Sequence, residues 1–291
     1  MFSIENINHY FKGNLKNIQK EAIDTISYLY EQNCSLKKLP CKLSKLNYYE
    51  NKIGKYNFTT SSGIRYNIDL RDGGGNFTPL IAKNSPIIND YLIYIEKKYA
   101  KFPEYKVHEL LHFLSTQDLE GTNLRLSNVK SGIIYLSPKD INDSGLLAIN
   151  EAITDFFAFR ICAKKYNRKY YKLYNNFPEE NPYYYPILLI NLLVFASGYK
   201  KNNLLKAYIN NDTNYVFNEI KLKFGLNKNE AKALFAEASD YFYSRKEFKK
   251  QLQKDIKKVV KFYYDNQSQK FKNEYPNFEK IYLSKFKSLY K

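Results

Sequence analysis

The stretch "YKVHELLHFLSTQ", Tyr105 to Gln117, holds two of the chain's three histidines four residues apart, with a glutamate directly after the first. On a helix, positions i and i+4 share one face a turn apart, so His108 and His112 can turn both imidazoles toward a single ion. Glu109, next along the backbone, can reach a water on that ion rather than the ion itself. Two ligands and a general base on one rigid turn are the mechanical content of H-E-x-x-H. Val107, Leu110, Leu111 and Leu114 form an apolar stripe beside the histidines, which puts the pair on the border between core and cleft. The bland alternative is a pair of histidines that merely satisfies polar neighbours.

A catalytic zinc takes three protein ligands and keeps a fourth position for water. The remaining histidine, His9, lies in the N-terminal segment, so the third ligand is expected to be a carboxylate. "GLLAINEAITDFFAFRIC", Gly145 to Cys162, is apolar on nearly every face, as in a buried helix, yet carries Glu151 and Asp155 four residues apart. Two buried carboxylates are costly without partners. A zinc ion on Glu151 and a histidine ring N–H on Asp155 would remove that cost, because ligating histidines usually donate their second nitrogen to a carboxylate. Pairing with Arg160 or a lysine is the competing explanation.

HELLH followed downstream by "NEAITD" resembles the gluzincin metallopeptidases, the thermolysin-like clan, whose pattern is H-E-x-x-H and then N-E-x-x-x-D on a second helix. The resemblance covers roughly residues 50 to 200 and rests on these two motifs. It implies that His108, His112 and Glu151 hold one catalytic Zn2+, that Glu109 is the general base, and that Asp155 orients a zinc histidine. Asn150 matches the family's Asn before the third ligand. The chain departs from the large secreted members: the gap from His112 to Glu151 is longer, no signal peptide is visible, and no histidine-bearing C-terminal half follows. It looks more like the short gluzincins of low-GC Gram-positive bacteria. The implied activity is that of a zinc-dependent peptidase, specifically an endopeptidase, acting on a peptide or protein substrate. The implied fold is zincin-like, a small mixed or antiparallel sheet packed on the active-site helix and followed by a mainly helical C-terminal part. A donor for the tetrahedral oxyanion is also needed. The cluster "NPYYYP" offers Tyr183, Tyr184 and Tyr185, with Tyr185 the first choice among 29 tyrosines.

Outward from these motifs the chain reads as α+β. Residues 1–44 form a helical N-terminal segment, with Ile18, Ala22, Ile26 and Leu29 at helical spacing and an end at "LPCKLS". Residues 45–240 form the catalytic domain. In it, "KIGKYNFTT" and "IRYNIDL" read as paired strands ended by the breaker "RDGGGN". Ser85 and Pro86 cap an expected helix whose face is Ile87, Ile88, Tyr91, Leu92, Ile95 and Tyr99. "SGIIYLS" reads as a single strand, Ser144 to about Tyr166 as a helix, and "ILLINLLVFA" as a buried helix too short to span a bilayer. The strand pair and "GIIYL" are expected to form the sheet over the cleft, with an edge that takes substrate backbone by strand addition.

Residues 241–291 are expected to be a basic tail with an amphipathic stripe of Phe248, Leu252, Ile256, Val259, Val260 and Tyr263. The net charge is +17, and from Arg245 onward 14 lysines and arginines face 5 acidic residues. An A/T-rich genome explains much of that composition. A weak anionic partner for the tail remains an expectation, and with it an alternative function: a nucleic-acid- or membrane-surface-binding protein with a structural zinc. Cys34, Cys41 and Cys162 are odd in number and form no C-x-x-C pair, which argues for a reducing compartment. With no transmembrane segment or signal visible, the expected location is cytoplasmic, non-classical export being equally compatible.

Overall fold

The computed structural model describes residues 4–36, 38–52, 54–60, 63, 65–70, 75–80, 88–118, 129–136, 142–166, 183–196, 203–240, 246–284 and 286. Two 3-10 helices, Ile4–Tyr10 and Gly13–Asn17, lead into α1 (Gln19–Glu31), which buries Ala22, Thr25, Ile26, Tyr28 and Leu29 on the expected face. "LPCKLS" is not merely the end of this segment. It is a short helix, α2 (Leu39–Ser44), with proline in its first turn.

The strands are β1 (Leu46–Asn51), β2 (Gly54–Thr59), β3 (Arg65–Leu70), β4 (Gly75–Leu80) and β5 (Asp90–Glu96). β2 and β3 pair antiparallel, as expected. The helix expected over 87–99 is strand β5 across Asp90–Glu96. Every residue of "DYLIYIE" is buried, so apolar residues are demanded on both faces and the alternation that marks a half-buried strand is absent. The Ser85–Pro86 cap lies outside the described residues. β3 ends at Leu70, directly before the "RDGGGN" breaker, whose last two residues, Gly75 and Asn76, open β4.

The sheet also has a different membership. β5 is its centre, parallel to β1 (Tyr48 opposite Ile93) and antiparallel to β4 (Phe77 opposite Ile93), in the order β1-β5-β4. β2 and β3 form a separate two-stranded sheet, so they do not belong to the sheet that meets the motif helix. That helix, α3 (Pro103–Ser115), packs against β4 and β5.

After α3 come β6 (Gln117–Asp118), β7 (Val129–Ser131) and β8 (Ile134–Tyr135), a second small sheet in that order. The single strand expected at "SGIIYLS" is therefore a tight hairpin. Ser131 pairs with Ile134, and Gly132 opens the two-residue loop at φ +60°, a conformation that glycine adopts without strain.

The rest is helical: α4 (Ser144–Lys165), α5 (Tyr184–Ala196), α6 (Asn203–Ile209), α7 (Thr213–Phe224), α8 (Lys228–Ser239), α9 (Lys246–Asp265), α10 (Gln269–Glu274) and α11 (Phe278–Leu283). α4 matches the expected helix closely. It is buried against α3, α5 and α8, which is why its sequence is apolar nearly all round.

One hydrophobic cluster runs from Ile7 through the motif helices to Phe286. The divisions expected at 44/45 and 240/241 are thus not boundaries between separate cores. In particular, Leu252, Ile256, Val259, Val260 and Tyr263 of α9 are buried, so that stripe packs on the body of the protein. The side chain of Phe248 lies outside the described residues. Among the described residues no helix is long and apolar enough to cross a membrane.

Candidate metal centre

α3 begins after an extended Phe102, with Pro103 in the first turn and Glu104 at the positive end of the helix dipole. Its C-terminal carbonyls, which have no partners within the helix, are met by a buried lysine: Lys42 Nζ donates to Phe113 O (2.9 Å) and Leu114 O (3.0 Å). The helix is therefore pinned at the end next to His112. α4 starts on Asp143, whose side chain accepts from Leu146 N at 3.0 Å.

The two helices pack together and bring four expected side chains to one place. His108 Nε2 and His112 Nε2 are 3.0 Å apart, and Glu151 Oε2 is 3.1 Å from the first and 3.4 Å from the second. His108 Nδ1 lies 2.7 Å from Asp155 Oδ1, the outer contact expected of that carboxylate. Among the described residues, His108, His112 and Glu151 form a group able to hold a metal ion. His9 is exposed on the N-terminal 3-10 helix against Tyr10 and is not part of it.

The donor set fits a tetrahedral ion. Ligands about 2.0–2.2 Å from a zinc ion lie roughly 3.2–3.5 Å from one another, close to the separations seen. The hydrogen bonding fits too. When His108 gives its Nδ1 proton to Asp155, its Nε2 offers a lone pair toward Glu151 Oε2, an acceptor as well. A metal ion, or a proton on Nε2 in its absence, relieves such a convergence of acceptors.

The electrostatics follow from the packing. Burial disfavours the charge on His108, but Asp155, then Glu151, outweigh it and hold the imidazole well above its usual value. Burial likewise opposes the charge on Glu151, yet His112 and His108 hold that carboxyl well below the usual range. Glu109 behaves oppositely: burial raises its pKa against the pull of both histidines. Glu109 is buried, and it lies against β4: a Cβ built on Gly75 would fall 2.6 Å from Glu109 Oε1 and 2.9 Å from its Cγ. A side chain at this position would have to push Glu109 or Ile95 aside.

Tyr185 does not have the position expected of an oxyanion donor. It is 1% exposed and stacks on Phe286 at 6.0 Å, inside the core. Of the three neighbouring tyrosines, Tyr183 feels the site: burial, then the charges of Glu151 and Asp155, raise its hydroxyl pKa. One contributor escaped sequence reasoning. Tyr208 on α6 places its hydroxyl 3.2 Å from His112 Nδ1 and 2.7 Å from Thr154 Oγ1. Asn150 donates to Glu151 Oε1 at 3.3 Å and accepts from Ile133 N at 3.0 Å, tying the third ligand to the β7–β8 turn. The motif flagged Asn150, but nothing local flags Tyr208. Comparisons with protein-family models, with curated proteins and with solved structures return no match.

Proposed function

We propose that the chain is a zinc-dependent peptidase, an endopeptidase of the gluzincin kind, with His108, His112 and Glu151 as the ligands and Glu109 as the general base. The observation that carries this reading is the convergence of three ligand atoms from two helices with a buried glutamate one residue along from the first ligand. A bound zinc ion would supply Lewis-acid chemistry, acidifying a water and polarising the scissile carbonyl.

The chain's own residues do the rest. Glu109, its pKa raised by burial, is placed to take the proton of the attacking water and pass it to the leaving amine. Asp155 keeps His108 in one tautomer and one orientation. Tyr183, rather than Tyr185, is assigned as the oxyanion donor. β4 is the edge of the sheet that meets α3 among the described strands, and it is the strand we assign to substrate backbone.

The alternative, a structural zinc in a binding protein, is less well supported. A structural site closes its shell with four protein ligands, whereas three are found among the described residues and the next group is a glutamate suited to base catalysis. Glu109→Gln separates the two. Challenged with a randomised peptide library read by mass spectrometry, the zinc-loaded wild type should cleave, and Glu109→Gln should keep its zinc and lose cleavage by at least about a hundredfold. A zinc-loaded wild type that leaves the library intact would refute the peptidase reading. Tyr183→Phe should lower kcat with little change in KM.

A further inference from the structure

The second histidine of the cluster is held by a chain of hydroxyl groups rather than by a carboxylate. His112 Nδ1 lies 3.2 Å from Tyr208 Oη, Tyr208 Oη lies 2.7 Å from Thr154 Oγ1, and Thr154 Oγ1 lies 2.8 Å from the Asn150 carbonyl oxygen. Asn150, Thr154 and Tyr208 are fully buried, so the chain is closed to bulk water.

Proton counting gives this chain a direction. When every contact in the chain carries a proton, the single proton of Thr154 goes to Asn150 O, since a carbonyl has none to give. Tyr208 must then supply the proton in its contact with Thr154. The proton in the last contact can come only from the imidazole, as His112 Nδ1–H donating to Tyr208. A proton is thereby fixed on His112 Nδ1, as Asp155 fixes one on His108 Nδ1, and in each neutral ring Nε2 is the nitrogen left to an ion.

The surroundings hold the chain in place. The turn residue Gly132 lies so near that a Cβ there would fall 2.3 Å from Asn150 Oδ1 and 2.3 Å from Tyr208 Cε2. Asn211, just beyond α6, donates to Ser115 O at 2.8 Å and Gly132 O at 2.7 Å. The His112 carbonyl accepts from Thr116 (2.7 Å), Ser115 (3.1 Å) and Ser131 (3.2 Å). Ring and backbone of His112 are thus fixed by α3, α4, α6 and the β7–β8 hairpin together.

We infer that Tyr208 and Thr154 are positioning residues that lock His112 as its Nδ1–H tautomer, so that Nε2 faces His108 and Glu151 as a ligand before an ion arrives. This rests on the metal-site reading above and adds residues outside the two motifs. It makes an unusual demand of Thr154, which touches no ligand atom. Losing its hydroxyl frees the Tyr208 proton for His112 Nδ1, since the neighbouring Ser115 hydroxyl already accepts from Gly132 N and donates to His112 O. The ring proton then moves to Nε2, into the ligand cluster.

The test titrates metal-free wild type, Thr154→Val, Thr154→Ser and Tyr208→Phe with zinc against a competing chelator. The imidazole nitrogens of the metal-free chains are followed in parallel by 15N NMR, at a pH where both rings are neutral. Thr154→Val and Tyr208→Phe should weaken zinc binding by roughly 10- to 100-fold, and Thr154→Ser should restore it. His112 should be protonated at Nδ1 in the wild type and at Nε2 in Thr154→Val. Equal zinc affinity in Thr154→Val and wild type, or an Nε2–H tautomer in the wild type, overturns the inference. A wild type that takes up no zinc defeats the metal reading instead, while the NMR comparison still decides the tautomer.

Discussion

At the scale of residues, Glu109 depends on a neighbour with no side chain. Gly75 brings the backbone of β4 against the carboxyl, with Ile95 Cδ1 on another side at 2.8 Å from the position of a Cβ. Gly75→Ala should therefore displace Glu109 without touching a ligand. The expected outcome is a loss of about a hundredfold in turnover, the scale of a 1 Å misplacement, with zinc content unchanged. Unaltered turnover in that variant would mean that the base does not act from this position. Most of the centre was legible in the sequence, because the i,i+4 spacings of His108 with His112 and of Glu151 with Asp155 state which side chains share a helix face. Tyr208 was not legible. It meets Thr154 across 54 residues of chain, and nothing near it in sequence separates it from the 28 other tyrosines. Tyr185 was misplaced for the same reason, since being near the ligand helix in sequence does not say which way a ring points.

At the scale of elements, α4 is held to α1 as well as to α3. Lys164 and Lys165 at its end reach Glu31 at 2.5 and 2.9 Å. Hydrogen bonds from these lysines lower the Glu31 carboxyl from 4.5 to about 2. A carboxyl whose folded pKa is depressed stabilises the fold fully above its unfolded value and loses that contribution as pH falls through the folded value. The clamp should thus weaken between about pH 4.5 and about pH 2. Because Glu31 is 40% exposed, its contribution should stay below about 1 kcal/mol. Urea denaturation of Glu31→Gln should show that small loss at pH 7 and converge on the wild type near pH 2. A gap of the same size at both pH values would show that the ion pair is not its source. Helices were the legible elements here, α4 almost to the residue, because a long segment that is apolar on nearly every face has few alternatives. The strands were less so. β5 is buried on both faces and its residues satisfy a helical spacing equally well, while pairing β4 and β1 with it depends on contacts far apart in sequence.

At the scale of the whole molecule, the basic C-terminal segment is joined to the core that carries the site. Tyr282 Oη donates to Leu188 O at 2.6 Å in the interior, and Phe286, fully buried, stacks on Tyr185. The amphipathic pattern of α9 was readable in sequence, but an amphipathic helix does not announce what its apolar face will cover. The fold makes that cover the protein itself, leaving Lys250, Lys254, Lys257, Lys258 and Lys261 outward. Phe286→Ala should cost about 3–5 kcal/mol, seen as a lower denaturation midpoint in a single transition shared by the whole chain. If the catalytic part melted unchanged while the end of the chain loosened, the segment would be an appendage after all.

Two motifs 39 residues apart, at His112 and Glu151, are proposed to make one site. Zinc content after exhaustive chelation and re-addition of zinc tests it most directly, in the wild type and in Glu151→Ala. About one ion per wild-type chain is expected, with a sharp reduction in the variant. Equal zinc in both, or none in either, would contradict it.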